Sequence, residues 1–445
     1  MTDSMAASPA PRYALPLLAV MGSASLCLTL ASYQFANKND AVFLAMIIVL
    51  ALLAIFAGQV ARAAPDTWPT LAVVLAFALA PRLYLLFGPP LFSVDVYRYV
   101  WEGRADLAGF NPYLHVPSAP DLAFLRDDVI YPWVDKKDYA VSIYPPIAHL
   151  LFVLHALTGG GVIAMKAIML GFEALGAAAL ISMLATLKLP RALAVVYLWH
   201  PAPMWEIANN GHLDGAMTGL LLAGLAWGAA RERTYLAGGL IALASLVKPF
   251  AVLSLPTLWR PFDLKLPAFV IGIAALCYAP FLSAGAGMLG FFSGYARENG
   301  LDTGSAFYFL KLFYGANAPP GWATGAYYAV ACAIVAGLIL RACSRDERRL
   351  DTTLRDTAAI LITVLFFLSS NLPWYLLPLA SLAPLTGSWA CFVMPTAGFL
   401  LYPIADDAWG GISNVGVAAY NFLALGAIAV DAARWWKLEC RGADR

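Results

Sequence analysis

The sequence predicts an all-α, polytopic integral membrane protein of about 11–14 transmembrane helices, and three observations predict it. Of 445 residues, 61% are hydrophobic and 12% charged, with a mean hydropathy of +0.72, outside the range of water-soluble domains. Apolar runs recur from residue 14 to residue 433, so lipid rather than water is the solvent for most side chains. Basic residues gather in alternate connections, the bias that orients inserted helices. A formal net charge of +1 implies no nucleic-acid partner.

Taken in order, the runs expected to be helical are 14–32, 41–61, 68–88, 162–186, 192–208, 213–230, 235–247, 250–260, 266–283, 323–341, 356–370, 374–386, 389–404 and 414–433. Several are short enough to be half-helices. The first is read as a retained span: it follows the lone Arg12, is long enough to cross, and has no small-x-small cleavage pattern before Asn37. With the N-terminus cytoplasmic, Arg62, the pair Lys188/Arg191, Arg231/Arg233, Arg260/Lys265, the run "RACSRDERRLDTTLRD" and the tail "RWWKLECR" all lie inside. The expected organisation is then N-terminal transmembrane helices (1–88), a first outer loop (89–161), central helices (162–283), a second outer loop (284–322), and C-terminal helices with a cytoplasmic tail (323–445). Within the first loop, "YPPIAHLLFVLHAL" (144–157) is about half a membrane thick, which suits an interfacial or re-entrant helix. Cys27, Cys277, Cys332, Cys343, Cys391 and Cys440 sit in apolar runs or beside basic loops, so disulfides are not expected to hold the outer loops.

The first outer loop opens with "SVDVYRYVWEGRADLAGFNPYLHVP" (93–117). Val96, Tyr97, Val100, Trp101, Leu107 and Ala108 make one helical face, and Asp95, Arg98 and Glu102 another. This predicts an amphipathic helix on the membrane surface, its aromatics at headgroup level. Ser93 is the expected N-cap and Gly109 with Asn111-Pro112 the stop. The residues alone leave Asp95 open to two readings, a reactant or a dipole partner with Arg98 at i+3.

Other polar groups interrupt the oil. "WEIANNGHLDGAMTG" carries Glu206, Asn209, Asn210, His212 and Asp214 beside lipid, where each ionisable group costs about 2.5–3.5 kcal/mol at a span's centre. Lys248, next to the helix-breaking Pro249, implies a cavity with an anion in it. "YARENGLDTGSAFYFLK" offers Arg297, Glu298, Asn299 and Asp302, and "SSNLPWYLLP" offers Asn371, Trp374 and Tyr375, for which an aromatic belt is the alternative. Arg82 lies near the first loop, and Glu173 is expected to form an interhelical pair. There is no Gly-rich phosphate loop, no His-x-x-x-His pair and no Cys/His metal cluster. The combination suits a lipid-borne sugar phosphate: cations (Arg82, Arg98, Lys248, Arg297) hold the leaving phosphate, aromatics stack on sugar, and a carboxylate takes the acceptor's proton.

The stretch "DVYRYVWEGRADLAGFNPYLHVP" resembles the first outer loop of bacterial polyprenol-phosphate-mannose-dependent alpha-mannosyltransferases, members of the GT-C superfamily. "YPPIAHLLF", "NNGHLDGAMTGLLL", "NGLDTGSAF" and "NLPWYLLPL" resemble later GT-C elements in the same order. The resemblance covers residues 82–380 and implies a GT-C-like fold with a long first outer loop. It implies transfer of a hexose, most plausibly mannose, from a polyprenyl-phosphate donor to a lipid or glycan acceptor, at the periplasmic face of the inner membrane. It assigns Asp95 as general base, Glu102 as an alternative second acid, and Arg98, Lys248 and Arg297 as phosphate contacts. His212, Asp214, Asn111, Tyr144, Trp374 and Tyr375 border sugar or acceptor. Many such enzymes carry adjacent acids in this loop; here Val94 precedes Asp95, so no cofactor or metal ligand is predicted and the question of Mg or Mn stays open. Inversion is expected, since no second carboxylate is evident to form a covalent intermediate. The alternatives are a transporter or flippase for lipid-linked saccharides, or a polysaccharide polymerase or ligase. The ionisable groups crowd toward one face and no internal repeat is seen, which argues against transport.

Overall fold

The computed structural model describes residues 13–315, 317–346, 348–368, 372–402 and 415–443, without the side chains of 438–443. Asn371 and the ends of the runs 389–404 and 414–433 lie outside the described residues. Among the described residues every regular element is helical and no strand occurs. The chain opens with α1 (Ala14–Phe35), α2 (Asp40–Ala63) and α3 (Trp68–Phe87), and α1 packs on both of the others. Asn39 starts α2 by accepting the Val42 N–H, 3.2 Å away; Asp40 in its first turn and Arg62 in its last suit the helix dipole.

Among the described residues, seven helices are long and apolar enough to cross a bilayer: α1, α2, α3, α6 (Val162–Thr186), and the segments Lys265–Glu298, Gly321–Cys343 and Val415–Lys437. The protein is a polytopic all-α membrane protein. The expected runs 192–208 and 213–230 differ from simple spans. They form a pair, Pro201–Asn209 and Asp214–Arg231, bent by 119°. The runs 235–247 and 250–260 fold as Thr234–Ser245 and a tight turn of helix, Pro249–Thr257, and 374–386 and 389–404 are likewise short. In the later runs proline is the physical reason: Pro249, Pro256, Pro373, Pro378, Pro384 and Pro395 remove donors from the helical ladder. The bend between Asn209 and Asp214 holds no proline and turns at Gly211, φ +74°.

Two helices project from the first long connection. These are α4 (Asp95–Leu107) and α5 (Pro146–Ala156), which pack together. The expected headgroup-facing surface of α4 is corrected here. Val96, Val100 and Trp101 are buried in protein, Trp101 being 1% exposed, together with Tyr99 and Ala105. Trp101 meets the Tyr131 ring at 5.0 Å, and Tyr99 stacks on Phe152 of α5 at 5.2 Å. Gly103 sets the approach of the two helices, since a Cβ there would lie 2.2 Å from the Phe152 carbonyl oxygen. The apolar face is real, but α5 and the remainder of the connection cover its first turns, and Leu107 and Ala108 stay exposed at its end. The helix ends as expected, with Gly109 in the left-handed region at φ +88°.

The second long connection closes against the first. Asn111 Nδ2 donates to Ser283 Oγ (2.9 Å), the Phe291 N–H donates to the Ser142 carbonyl (3.2 Å), and Lys136 pairs with Glu298.

Candidate active site

Three breaks in the helical ladder deliver side chains to one place. The first is the start of α4, where Ser93 Oγ accepts the Asp95 N–H at 3.2 Å while Val94 takes the N-cap position. The chain entering α4 is pinned from behind. Asn209 Oδ1 accepts the Leu91 N–H (3.1 Å), Asn210 Oδ1 accepts the Phe92 N–H (3.2 Å), and Asn209 Nδ2 donates to the Pro89 carbonyl (2.9 Å). Lys166 donates to the carbonyls of Leu85 and Gly88, which serve as ends of α3 otherwise without partners.

The second break lies between Asn209 and Asp214. Gly211 turns the backbone at φ +74°, and a Cβ there would come within 2.9 Å of Lys166; only glycine meets both conditions without strain. This turn presents His212, whose side chain has no exposed surface. Its Nδ1 lies 3.1 Å from Glu206 Oε2 and its Nε2 3.9 Å from Asp95 Oδ2. Neither contact has hydrogen-bond geometry. Glu206 is itself held: the Tyr402 hydroxyl donates to both carboxylate oxygens at 2.9 Å, and Asn210 Nδ2 donates at 3.1 Å. The third break, at Lys248-Pro249, brings the Lys248 ammonium 2.5 Å from Asp214 Oδ2 and 4.3 Å from the centroid of Tyr375. Trp374 stacks on His212 with ring centroids 4.1 Å apart. Tyr375 shares a hydrogen bond of 3.0 Å with Tyr295.

Asp95, His212, Asp214, Lys248, Trp374 and Tyr375 are thus brought together. Tyr144 joins them edge-on to Tyr99 at 5.2 Å. Its hydroxyl is held well above its ordinary value, by burial first and then by the charge of Asp95. At Tyr99, burial again leads, followed by Tyr144, Asp95 and Asp214. The Asp95 side chain is 27% exposed, whereas His212 and Asp214 have no exposure and Lys248 has 10%. Asp95 is therefore the carboxylate of this group that meets solvent.

Four expected site residues are engaged elsewhere. Arg82 forms a buried two-pronged pair with Glu173 (2.6 and 2.9 Å) and also donates to the carbonyls of Ala78 and Leu198; the interhelical pair expected of Glu173 is this one. Arg98 donates to Glu102 at 2.5 Å and to the carbonyls of Asp135 and Ala140. With both partners buried, Arg98 and Glu102 brace the connection. Asn111 is tied to Ser283. Arg297 lies exposed at the end of the helix Phe292–Glu298, two residues beyond Tyr295.

The sequence reading missed Asp135. Burial pushes its carboxyl up and the neighbouring charge of Asp95 adds to this, while Lys136 and Arg98 pull the other way. Asp135 is thus an acid that feels the charge of Asp95. Among the described residues, Asp95 belongs to no group of three metal-donor side chains; such a group, Glu102, Asp106 and His149, occurs between α4 and α5.

A family model described as Alpha-(1->6)-mannopyranosyltransferase, N-terminal domain (the MptA_B family) matches residues 15–260, more than half of the chain. The matched region includes Asp95, Glu206, His212, Asp214 and Lys248 and stops short of Trp374 and Tyr375. No curated protein and no solved structure matches.

Proposed function

The chain belongs to this alpha-(1->6)-mannopyranosyltransferase family, and from that premise we propose that it is a GT-C enzyme. In this reading it moves mannose from a polyprenyl-phosphate donor to a lipid or glycan acceptor, on the periplasmic face of the inner membrane, with Asp95 as general base. The observation that carries this is the half-open Asp95 carboxylate above a closed wall of His212, Glu206 and Trp374. The acceptor hydroxyl gives its proton to Asp95 as its oxygen bonds to the anomeric carbon. The bond from that carbon to the phosphate oxygen breaks, and the polyprenyl phosphate leaves. His212 has no exposed surface, so its part is to back the Asp95 carboxylate with a buried imidazole packed on Trp374 rather than to touch sugar. Of the four cations, Arg297 is exposed and Lys248 reaches the cluster, paired with Asp214 over the Tyr375 ring; these two are assigned to the leaving phosphate. The donor's tail stays in lipid between helices.

Asp95→Asn removes the base while keeping the shape. It is expected to abolish mannose transfer from a radiolabelled polyprenyl-phosphate donor in washed membranes, with expression and insertion unchanged; near-normal transfer removes the central claim. A single displacement predicts inversion, and a retained anomeric configuration in the product by NMR sinks that step.

One observation favours a second reading, a carrier of lipid-linked saccharide: the ionisable groups sit at broken helices, as in many transporters. Movement of labelled lipid across a vesicle wall with no new glycosidic bond selects it.

A further inference from the structure

We propose that Glu102, Asp106 and His149 form a divalent-cation site that ties α4 to α5, separate from the reaction centre. Glu102 and Asp106 stand four residues apart on α4 and therefore on one face. His149 faces them from α5, and one donor atom from each lies within 4.8 Å of the others. The three side chains are 4%, 7% and 1% exposed, so water does not screen the two carboxylates. One oxygen, Asp106 Oδ1, is buried with no hydrogen-bond partner. A carboxylate oxygen left bare in a dry place is the kind of vacancy that a cation fills.

The surrounding contacts suit ligands held for a metal. His149 Nε2 lies 3.0 Å from Ser142 Oγ, and its Nδ1 lies 2.7 Å from Asp106 Oδ2. In the tautomer whose Nε2–H donates to Ser142, the Nδ1 lone pair is left for an ion, as in metal-binding histidines. Arg98 holds Glu102 through one oxygen at 2.5 Å, fixing the carboxylate from outside. An ion at about 2.1 Å from each donor needs donor pairs within about 4.2 Å, so the cluster draws in by a few tenths of an ångström on loading. Two carboxylates and an imidazole make a mixed oxygen and nitrogen donor set, which selects Zn2+ or Mn2+ over Mg2+. Glu102 lies seven residues after Asp95, about 10 Å along the helix axis, so the cation acts as a brace and does not touch the leaving phosphate.

The test is the metal content of the full chain, purified in detergent without metal-affinity resin and dialysed, by inductively coupled plasma mass spectrometry. The expected result is one Zn2+ or Mn2+ per chain, lost in Asp106→Asn. Chelation should lower the unfolding temperature of the wild type, and added Zn2+ or Mn2+ should restore it. The wild-type chelation arm decides the matter even where Asp106→Asn fails to fold. Wild-type protein that holds no stoichiometric cation and is insensitive to chelator overturns the proposal, leaving a proton-bridged Asp106–His149 pair. Undiminished metal in a folded Asp106→Asn also overturns it, since the ion is then held elsewhere. None of these readouts depends on Asp95 or on transferase activity.

Discussion

Arg82 and His212 are both buried ionisable side chains, yet they act on different things. Arg82 and Glu173 satisfy each other between spans, and removing one partner leaves a bare charge, at a cost of about 3–5 kcal/mol. Arg82→Ala is therefore expected to lower the unfolding temperature in detergent and the yield, while the surviving enzyme keeps its donor KM. His212 stands between Glu206 and Asp95, so its loss frees a reacting group rather than a span. His212→Asn should reduce kcat by roughly 10²-fold with little change in KM; a rise in KM alone reassigns His212 to sugar contact. The residues of this cluster were legible in the sequence because an Asp, His or Lys inside an apolar run must find a polar partner. Which partner it finds was not. Arg98 pairs with Glu102 rather than Asp95, and Glu206 is held by Tyr402 from a distant part of the chain. Asp135 carries no periodic signal at all. Contacts between remote segments leave no local pattern to read.

For the helices, spacing shows which face is apolar and is silent on what covers it. That is why α4 reads as a headgroup helix and folds as a protein-covered one. Gly103 is the sharp test of that cover. Gly103→Ala places a methyl group 2.2 Å from the Phe152 carbonyl oxygen, so α4 must move off α5. Activity should fall with normal membrane insertion, and protease should cut the connection after α4 more readily. The same connection is tied down by Asp127. Its slight burial raises the carboxyl, but the Ile130 N–H, Arg104 and the Tyr131 N–H outweigh this and hold it down at about 2. A carboxyl lowered on folding stabilises above its unfolded value of about 3.9 and loses that effect as pH falls through about 2. Protease resistance of this connection should persist at pH 4 and fail only toward pH 2, whereas Asp127→Asn should be more open even at pH 7.

The whole molecule has a direction in the membrane, and the basic clusters argue for it. In a background without cysteine, Phe124→Cys in the first long connection should react with a membrane-impermeant maleimide on spheroplasts, and Phe262→Cys beside Arg260 should not; both positions are well exposed. The reverse pattern inverts the topology and moves the site to the cytoplasm. Long uninterrupted helices were plain from hydropathy. The broken ones were not, because a proline-cut run and a span have the same average composition. One further consequence follows from where the site's parts lie along the chain. Asp95, Glu206, His212, Asp214 and Lys248 are all made before residue 260, and the indole that packs on His212 is residue 374. During synthesis the ribosome delivers the charged half of the centre to the bilayer well before its aromatic half. The cluster is therefore incomplete until the last helices are in place, and a chain cut short before residue 374 lacks the ring that packs on His212.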